Sequence, residues 1–210
     1  MAKKAEKSKK KRKHGKAARE IEIVNIVVST SLEHDIPLEK MAATLSNTEY
    51  NPEQFPGLVI RIKEPKTSAL IFSSGKVVCT GARTIEKVRE SIKKIIKRLE
   101  KINVKITVKP EIKIQNIVAS GSVGMDLNLN ELAVKLKNVE YEPEQFPGLV
   151  YKLQVTKTSP QATFLLFSNG KIVCTGTKSE EDVHTAVDVL VENPEKLGYS
   201  RQHQKKQVKK

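Results

Sequence analysis

Glu49-Tyr-Asn-Pro-Glu-Gln-Phe-Pro-Gly-Leu-Val59 returns 91 residues later as Glu140-Tyr-Glu-Pro-Glu-Gln-Phe-Pro-Gly-Leu-Val150, ten positions in eleven identical. The repetition extends outward on both sides. At the same offset Glu20 to Ser29 lies on Glu111 to Ser120 with seven matches in ten, Asn25 falling on Asn116. Phe72-Ser-Ser-Gly-Lys-Val-Val-Cys-Thr-Gly81 lies on Phe167-Ser-Asn-Gly-Lys-Ile-Val-Cys-Thr-Gly176, eight in ten, at an offset of 95, so four residues are inserted between Val150 and Phe167. A duplication with so long a period and so few copies is not a solenoid. It divides the chain into a basic tail (1–19), a first repeat (20–109), a second repeat (110–199) and a basic C-terminal tail (200–210).

Each copy carries the same order of elements. Ile21 to Ser29 is β-branched and predicts a strand. Leu38, Met41, Ala42 and Leu45, with twins Leu129, Leu132, Ala133 and Leu136, make one face of a short helix. Three apolar runs follow, Leu58–Lys63, Ser68–Phe72 and Lys76–Thr80. Ser74-Gly75 and Asn169-Gly170 turn the last hairpin. A helix closes each copy: Ile85, Val88, Ile92, Ile95, Ile96 and Leu99 in the first, Val183, Ala186, Val187, Leu190 and Val191 in the second, with Ser179 as N-cap.

Charge is unevenly placed. The 210 residues carry a formal net charge of +14 from 38 Lys and Arg against 24 Asp and Glu. Residues 1–19 hold ten basic side chains against Glu6, and 200–210 hold five against none, so the tails account for the whole excess. Residues 20–199 are neutral, with 20–109 at +4 and 110–199 at −4. Binding by this middle cannot rest on bulk charge, and the tails are too charged to fold alone. No apolar run approaches the roughly 20 residues that span a bilayer. The Lys-rich start has no apolar segment of the kind found in secretory signals, and Cys79 and Cys174 fit a reducing compartment.

Two helices per repeat cover one face of a sheet, so the other face should be polar. It is not. Asn25 and Val27 alternate with Ile26 and Val28, Leu70 and Phe72 with Ala69 and Ile71, Val78 and Thr80 with Val77 and Cys79. Both faces are apolar, which implies a second sheet, a dimer, or an apolar ligand surface with little charge at the contact. Pairing Leu58–Lys63 with Ser68–Phe72 around a turn near Glu64-Pro65 sets Phe55 beside Phe72. A longer turn near Thr156-Lys157 sets Phe146 beside Phe167. Four of the five Phe fall in these two pairs, and the flanking Pro and Gly place Phe55 and Phe146 on loops.

The doubled Tyr-x-Pro-Glu-Gln-Phe-Pro-Gly-Leu-Val with Phe-Ser-x-Gly-Lys-x-Val-Cys-Thr-Gly resembles the TATA-box-binding proteins, over about residues 20–192 and in the right order in both copies. Phe-Pro-Gly in both copies is closer to archaeal members. The resemblance implies an α+β fold: pseudo-symmetric repeats forming a saddle of curved antiparallel sheet, helices on its convex face and double-stranded DNA beneath. It implies a general transcription initiation factor that binds A·T-rich minor grooves, not an enzyme, with transcription factor B as partner and RNA polymerase recruited indirectly. The expected location is the cytoplasm with the nucleoid, or the nucleus in a eukaryote. The other readings are an RNA-binding β-platform and a scaffold that dimerises through the apolar face.

On that resemblance each residue has an expected role. Val27, Val59, Leu70 and Val78, with twins Val118, Val150, Leu165 and Val173, lie against base edges, as do the amides of Asn25 and Asn116 and the hydroxyls of Thr80 and Thr175. Phe55, Phe72, Phe146 and Phe167 match the family's wedges, which in its members enter base steps and kink the duplex. Arg61, Lys63, Lys76, Lys152 and Lys171, at strand positions flanking the face, meet phosphates. Glu142 and Glu144 match the positions that hold transcription factor B. The basic first closing helix and the acidic second one, with Glu180, Glu181, Asp182, Asp188 and Glu192, offer polarity to a protein partner. Cys79 and Cys174 alternate to the helix side as buried thiols. His14, His34, His184 and His203 lack ligand spacing, no catalytic constellation is present, and no cofactor, small-molecule substrate or membrane is expected.

Overall fold

The computed structural model describes residues 21–155 and 161–191. The two tails, Glu192 and the turn at Thr156-Lys157 lie outside the described residues. The first repeat folds as β1 (Glu22–Ser31), α1 (Leu38–Thr44), β2 (Thr48–Glu49), β3 (Gly57–Ile62), β4 (Thr67–Phe72), β5 (Lys76–Ala82) and α2 (Ile85–Glu100). The second repeats it as β6 (Lys113–Ser122), α3 (Leu129–Lys135), β7 (Val139–Glu140), β8 (Leu149–Gln154), β9 (Gln161–Leu166), β10 (Lys171–Thr177) and α4 (Glu180–Val191). All ten strands form one antiparallel sheet in the order β2-β3-β4-β5-β1-β6-β10-β9-β8-β7. The order reads the same from both ends because β1 and β6 pair with each other at the centre, Ile26 opposite Ile117. The sheet is curved and open, the saddle that the resemblance implies.

Each strand obeys the two-residue alternation of a pleated sheet. Ile26, Val28, Leu58, Ile60, Ala69, Ile71, Val77 and Cys79 point to one side and are sealed beneath α1 and α2, in a core with Val88, Ile92, Ile95 and Leu99. The second half builds the matching core from Leu149, Tyr151, Phe164, Leu166, Ile172 and Cys174 under α3 and α4. Truncating a fully enclosed side chain such as Ile71 to Ala costs about 2–5 kcal/mol, transfer plus cavity. Local signals agree with the packing. Thr84 caps α2 by accepting from Lys87 N, Ser179 caps α4 by accepting from Asp182 N at 3.0 Å, and Gly75 and Gly170 take φ of 79° and 75° in the hairpin turns.

The inserted residues lengthen one hairpin at its far end. The β3–β4 ladder ends at Ile62↔Thr67; the β8–β9 ladder continues past the equivalent Leu153↔Ala162 to Gln154↔Gln161. Two expectations are corrected. Phe72 pairs with Gly57, not Phe55, so the ladder is shifted by two residues from the pairing that sets the Phe residues opposite each other. Lys63 lies in the turn beyond β3, not on the strand. Thr48–Glu49 and Val139–Glu140 also form two edge strands that no periodicity signals, being two residues long.

Candidate nucleic-acid interface

The side of the sheet away from the helices is covered by no element of the described chain. Val27, Val59, Leu70 and Val78 all project there, with Val118, Val150, Leu165 and Val173, each half-buried among its own neighbours. Register joins them into rows. Val59 stands opposite Leu70, Leu70 opposite Val78 and Val78 opposite Ser29. The second half repeats the row through Val150, Leu165, Val173 and Ser120. Beside each apolar row runs a polar one: Arg61 opposite Ser68 and Ser68 opposite Thr80, then Lys152 opposite Thr163 and Thr163 opposite Thr175. Ser68 and Thr163 therefore join the face, placed there by the same two-residue alternation as Leu70 and Leu165.

The centre of the face is a quartet. Asn25 stands opposite Val118, and Val27 opposite Asn116, across the β1–β6 seam. Asn25 Oδ1 accepts from Gly81 N at 2.7 Å, and Asn116 Oδ1 accepts from Gly176 N at 2.8 Å. These bonds fix the amide flip, since a backbone N–H can only donate. Asn25 Nδ2 donates to Thr80 Oγ1 at 3.0 Å and Asn116 Nδ2 to Thr175 Oγ1 at 3.0 Å. An amide nitrogen carries two hydrogens, so each Asn has one beyond this bond. Gly81 and Gly176 hold φ of 97° and 89°, and a Cβ on Gly176 would lie 2.6 Å from Gln161 O. Glycine at these bulges thus allows the contact that aims each Asn.

An aromatic pair closes each end. Phe55 and Phe72 meet edge to face with centroids 5.9 Å apart; Phe146 and Phe167 repeat this at 5.9 Å. Phe55 turns back from the loop before β3, its N–H donating to Asn51 O at 2.9 Å, as Phe146 N does to Glu142 O. Phe55 is 43% exposed and Phe146 38%, a cost to the free protein that core aromatics do not incur. The fifth Phe, Phe164, is sealed in the core.

The cations flank the face unevenly. Lys76 and Lys171 begin β5 and β10, exposed and on the same side as Val78 and Val173. Arg61 and Lys152 are ion-paired, to Glu49 and to Glu140. Hydrogen bonding and the charge of Arg61 hold the Glu49 carboxyl below its ordinary range, while the Arg61 pKa rises. Glu142 and Glu144 are exposed beside Phe146. On the helix side burial pushes the thiols up, Cys79 to about 11 and Cys174 to about 12. Among the described residues no acid, His or Cys cluster could hold a metal, and no helix is long and apolar enough to cross a membrane.

The family model described as "Transcription factor TFIID (or TATA-binding protein, TBP)" matches residues 20–102 and 111–196. A TATA-box-binding protein of Archaeoglobus fulgidus is 49% identical over 180 residues, 85% of this chain and 96% of its own. One from Methanothermobacter thermautotrophicus is 52% identical over 169 residues, covering 80% and 91%. The solved structure titled Methanococcus jannaschii TBP superimposes with a TM-score of 0.75 at 50% identity, covering 82% of this chain and 97% of that one.

Proposed function

This chain belongs to the TATA-box-binding protein family of DNA-binding transcription factors, and from that premise we propose that its open sheet face seats in the minor groove of A·T-rich promoter DNA. The observation that carries the reading is the rowed apolar face, with an aimed amide pair at its centre and exposed aromatics at both ends. A minor groove at A·T pairs offers only the acceptors adenine N3 and thymine O2, while a G·C pair adds the guanine 2-amino donor. Against Val59, Leu70, Val78 and their twins that donor loses its water and gains nothing, at a cost of about 1–3 kcal/mol. The free hydrogens of Asn25 and Asn116 suit the acceptors. Selection of A·T thus comes from what the face lacks as much as from what it donates.

Phe55 with Phe72 and Phe146 with Phe167 act as wedges at the two ends. The few kcal/mol that unstacking costs per step is offset by the surface that bent DNA then contacts. Arg61, Lys76, Lys152 and Lys171 meet phosphates, and Lys63 adds charge from its turn. The tails supply sequence-independent attraction, because 1–19 and 200–210 hold the whole net charge. The repeats 20–109 and 110–199 act as the two halves of one clamp, and Glu142 and Glu144 receive transcription factor B, through which RNA polymerase joins. The test is a gel-shift series on A·T-rich duplex, G·C-rich duplex and RNA at several salt concentrations, with the full chain and a chain lacking both tails. Preference for A·T-rich duplex should survive tail removal while affinity for the other two falls. Equal binding of all three by the tail-less chain would contradict the proposal.

A further inference from the structure

The two edge strands are two residues long, and each spends one residue on the core side. Thr48 Oγ1 donates to Leu45 O at 2.8 Å, and Val139 packs on the second core. The other residue of each is an acid. Glu49 stands opposite Val59 and Glu140 opposite Val150, and directly opposed residues share a face. Both carboxylates therefore lie on the open face, where a polyanion is the proposed ligand. Each reaches the cation two residues beyond its partner: Glu49 grips Arg61 through both carboxylate oxygens, Nη2 to Oε2 at 3.2 Å, and Lys152 Nζ donates to Glu140 Oε1 at 2.6 Å.

We propose that Glu49 and Glu140 are built-in competitors of the DNA backbone, occupying Arg61 and Lys152 until a phosphate displaces them. This rests on the minor-groove reading of the same face. Both acids recur at repeat-equivalent positions with the partner at the equivalent strand position, although the cation changes from Arg to Lys. All four side chains are well exposed, so each pair is weak enough for a phosphate to break. The effect is to damp attraction that depends on charge alone and leave the apolar rows to decide where the protein stays. The grip is tighter at the first end, where two donors of the guanidinium fork are engaged, than at the second, where one of three ammonium hydrogens is. Lys152 is the cation released first.

The experiment compares the full chain with Glu49→Gln, Glu140→Gln and the double variant, by fluorescence anisotropy on A·T-rich and G·C-rich duplexes across a salt series. Glu100→Gln on the helix side is the control for a change in net charge, and thermal melts confirm that each variant folds. Each competitor removed should tighten binding by about two- to fivefold and steepen the log–log salt slope by about 0.9, more for G·C-rich duplex relative to its weak starting point. The control should move neither quantity by a comparable amount. Unchanged slopes in the double variant, or the same gain from Glu100→Gln, would overturn the proposal. Weaker binding would overturn it too, showing that the acids position the cations for DNA. Absence of A·T preference in the unmodified chain, measured in the same titration, would sink the minor-groove reading separately.

Discussion

The ring of Phe55 packs edge to face on Phe72 at 5.9 Å directly over Gly57, whose absent side chain makes room for both. A Cβ there would lie 2.7 Å from Phe55 Cε1 and 3.1 Å from Phe72 Cε1; at Gly148 the distances to Phe146 and Phe167 are 2.6 and 3.0 Å. Neither glycine has a positive φ, so what the site demands is space. Gly57→Ala should therefore tilt the wedge while the sheet survives. Phe72→Ala and Phe167→Ala should likewise reduce DNA bending, read by end-to-end energy transfer, far more than they lower the melting temperature. A full bend with a collapsed melting temperature would return these rings to the role of core aromatics.

The Asn25 amide is aimed by Gly81, so exchanging its nitrogen for oxygen leaves the side chain in place, with the Thr80 hydroxyl turning from acceptor to donor. Asn25→Asp keeps the acceptor for Gly81 N but replaces the remaining donor with a charge that faces base acceptors. Binding to A·T-rich duplex should weaken by about 1–3 kcal/mol or more, and Asn116→Asp should do the same by symmetry. The melting temperature should move little. Anisotropy titration and a thermal melt of the same sample check both halves of the prediction.

Much of this architecture can be read from the chain because the duplication prints every signal twice. Alternation in Val27, Leu70 and Val78 places the apolar rows, and the Pro and Gly around Phe55 put it on a loop. The missing parts depend on contacts between distant segments. The hairpin register differs by two from the one that opposes the Phe residues, because Phe55 reaches Phe72 by folding back from its loop. Glu49 looks like an ordinary surface charge, and nothing joins it to Arg61, until the two-residue strand β2 brings the two together; so short a strand has no period to detect. The Gly81 bond to Asn25 likewise exists only because a bulge lies between β1 and β5.

Buried thiols give the fold an alkaline limit with a definite sign. Cys79 and Cys174 move from an ordinary value of 9.0 to about 11 and about 12 in the folded state. Below pH 9 the thiol is neutral in both states and costs nothing. Above it the unfolded chain ionises first, so stability falls as pH rises through the window up to the folded values. Denaturant melts between pH 8 and 11 should show this loss, and Cys79→Ala with Cys174→Ala should flatten it even though the cavities lower stability overall. Thiol reagents at pH 8 should label the native chain slowly.

Glu142 and Glu144 lie exposed in the loop that Pro143 and Pro147 stiffen, beside an aromatic assigned to the DNA edge. On the proposed seating these carboxylates would face phosphates and oppose DNA binding, which suits a basic protein partner. Reversing both to Arg should leave A·T-rich binding equal or slightly tighter and abolish the supershift by transcription factor B at fixed salt. An intact supershift would remove these residues from the partner surface.

If the apolar face excludes the minor-groove amino group, adding that one group to an A·T pair should abolish the preference. Replacing adenine by 2,6-diaminopurine through an A·T-rich site adds the 2-amino donor in the minor groove and leaves the major-groove edge of the pair unchanged. Titrated against the unmodified duplex at one salt concentration, the substituted duplex should bind no better than a G·C-rich one. Undiminished binding would contradict the account, because the protein would then be reading something other than the minor-groove edge.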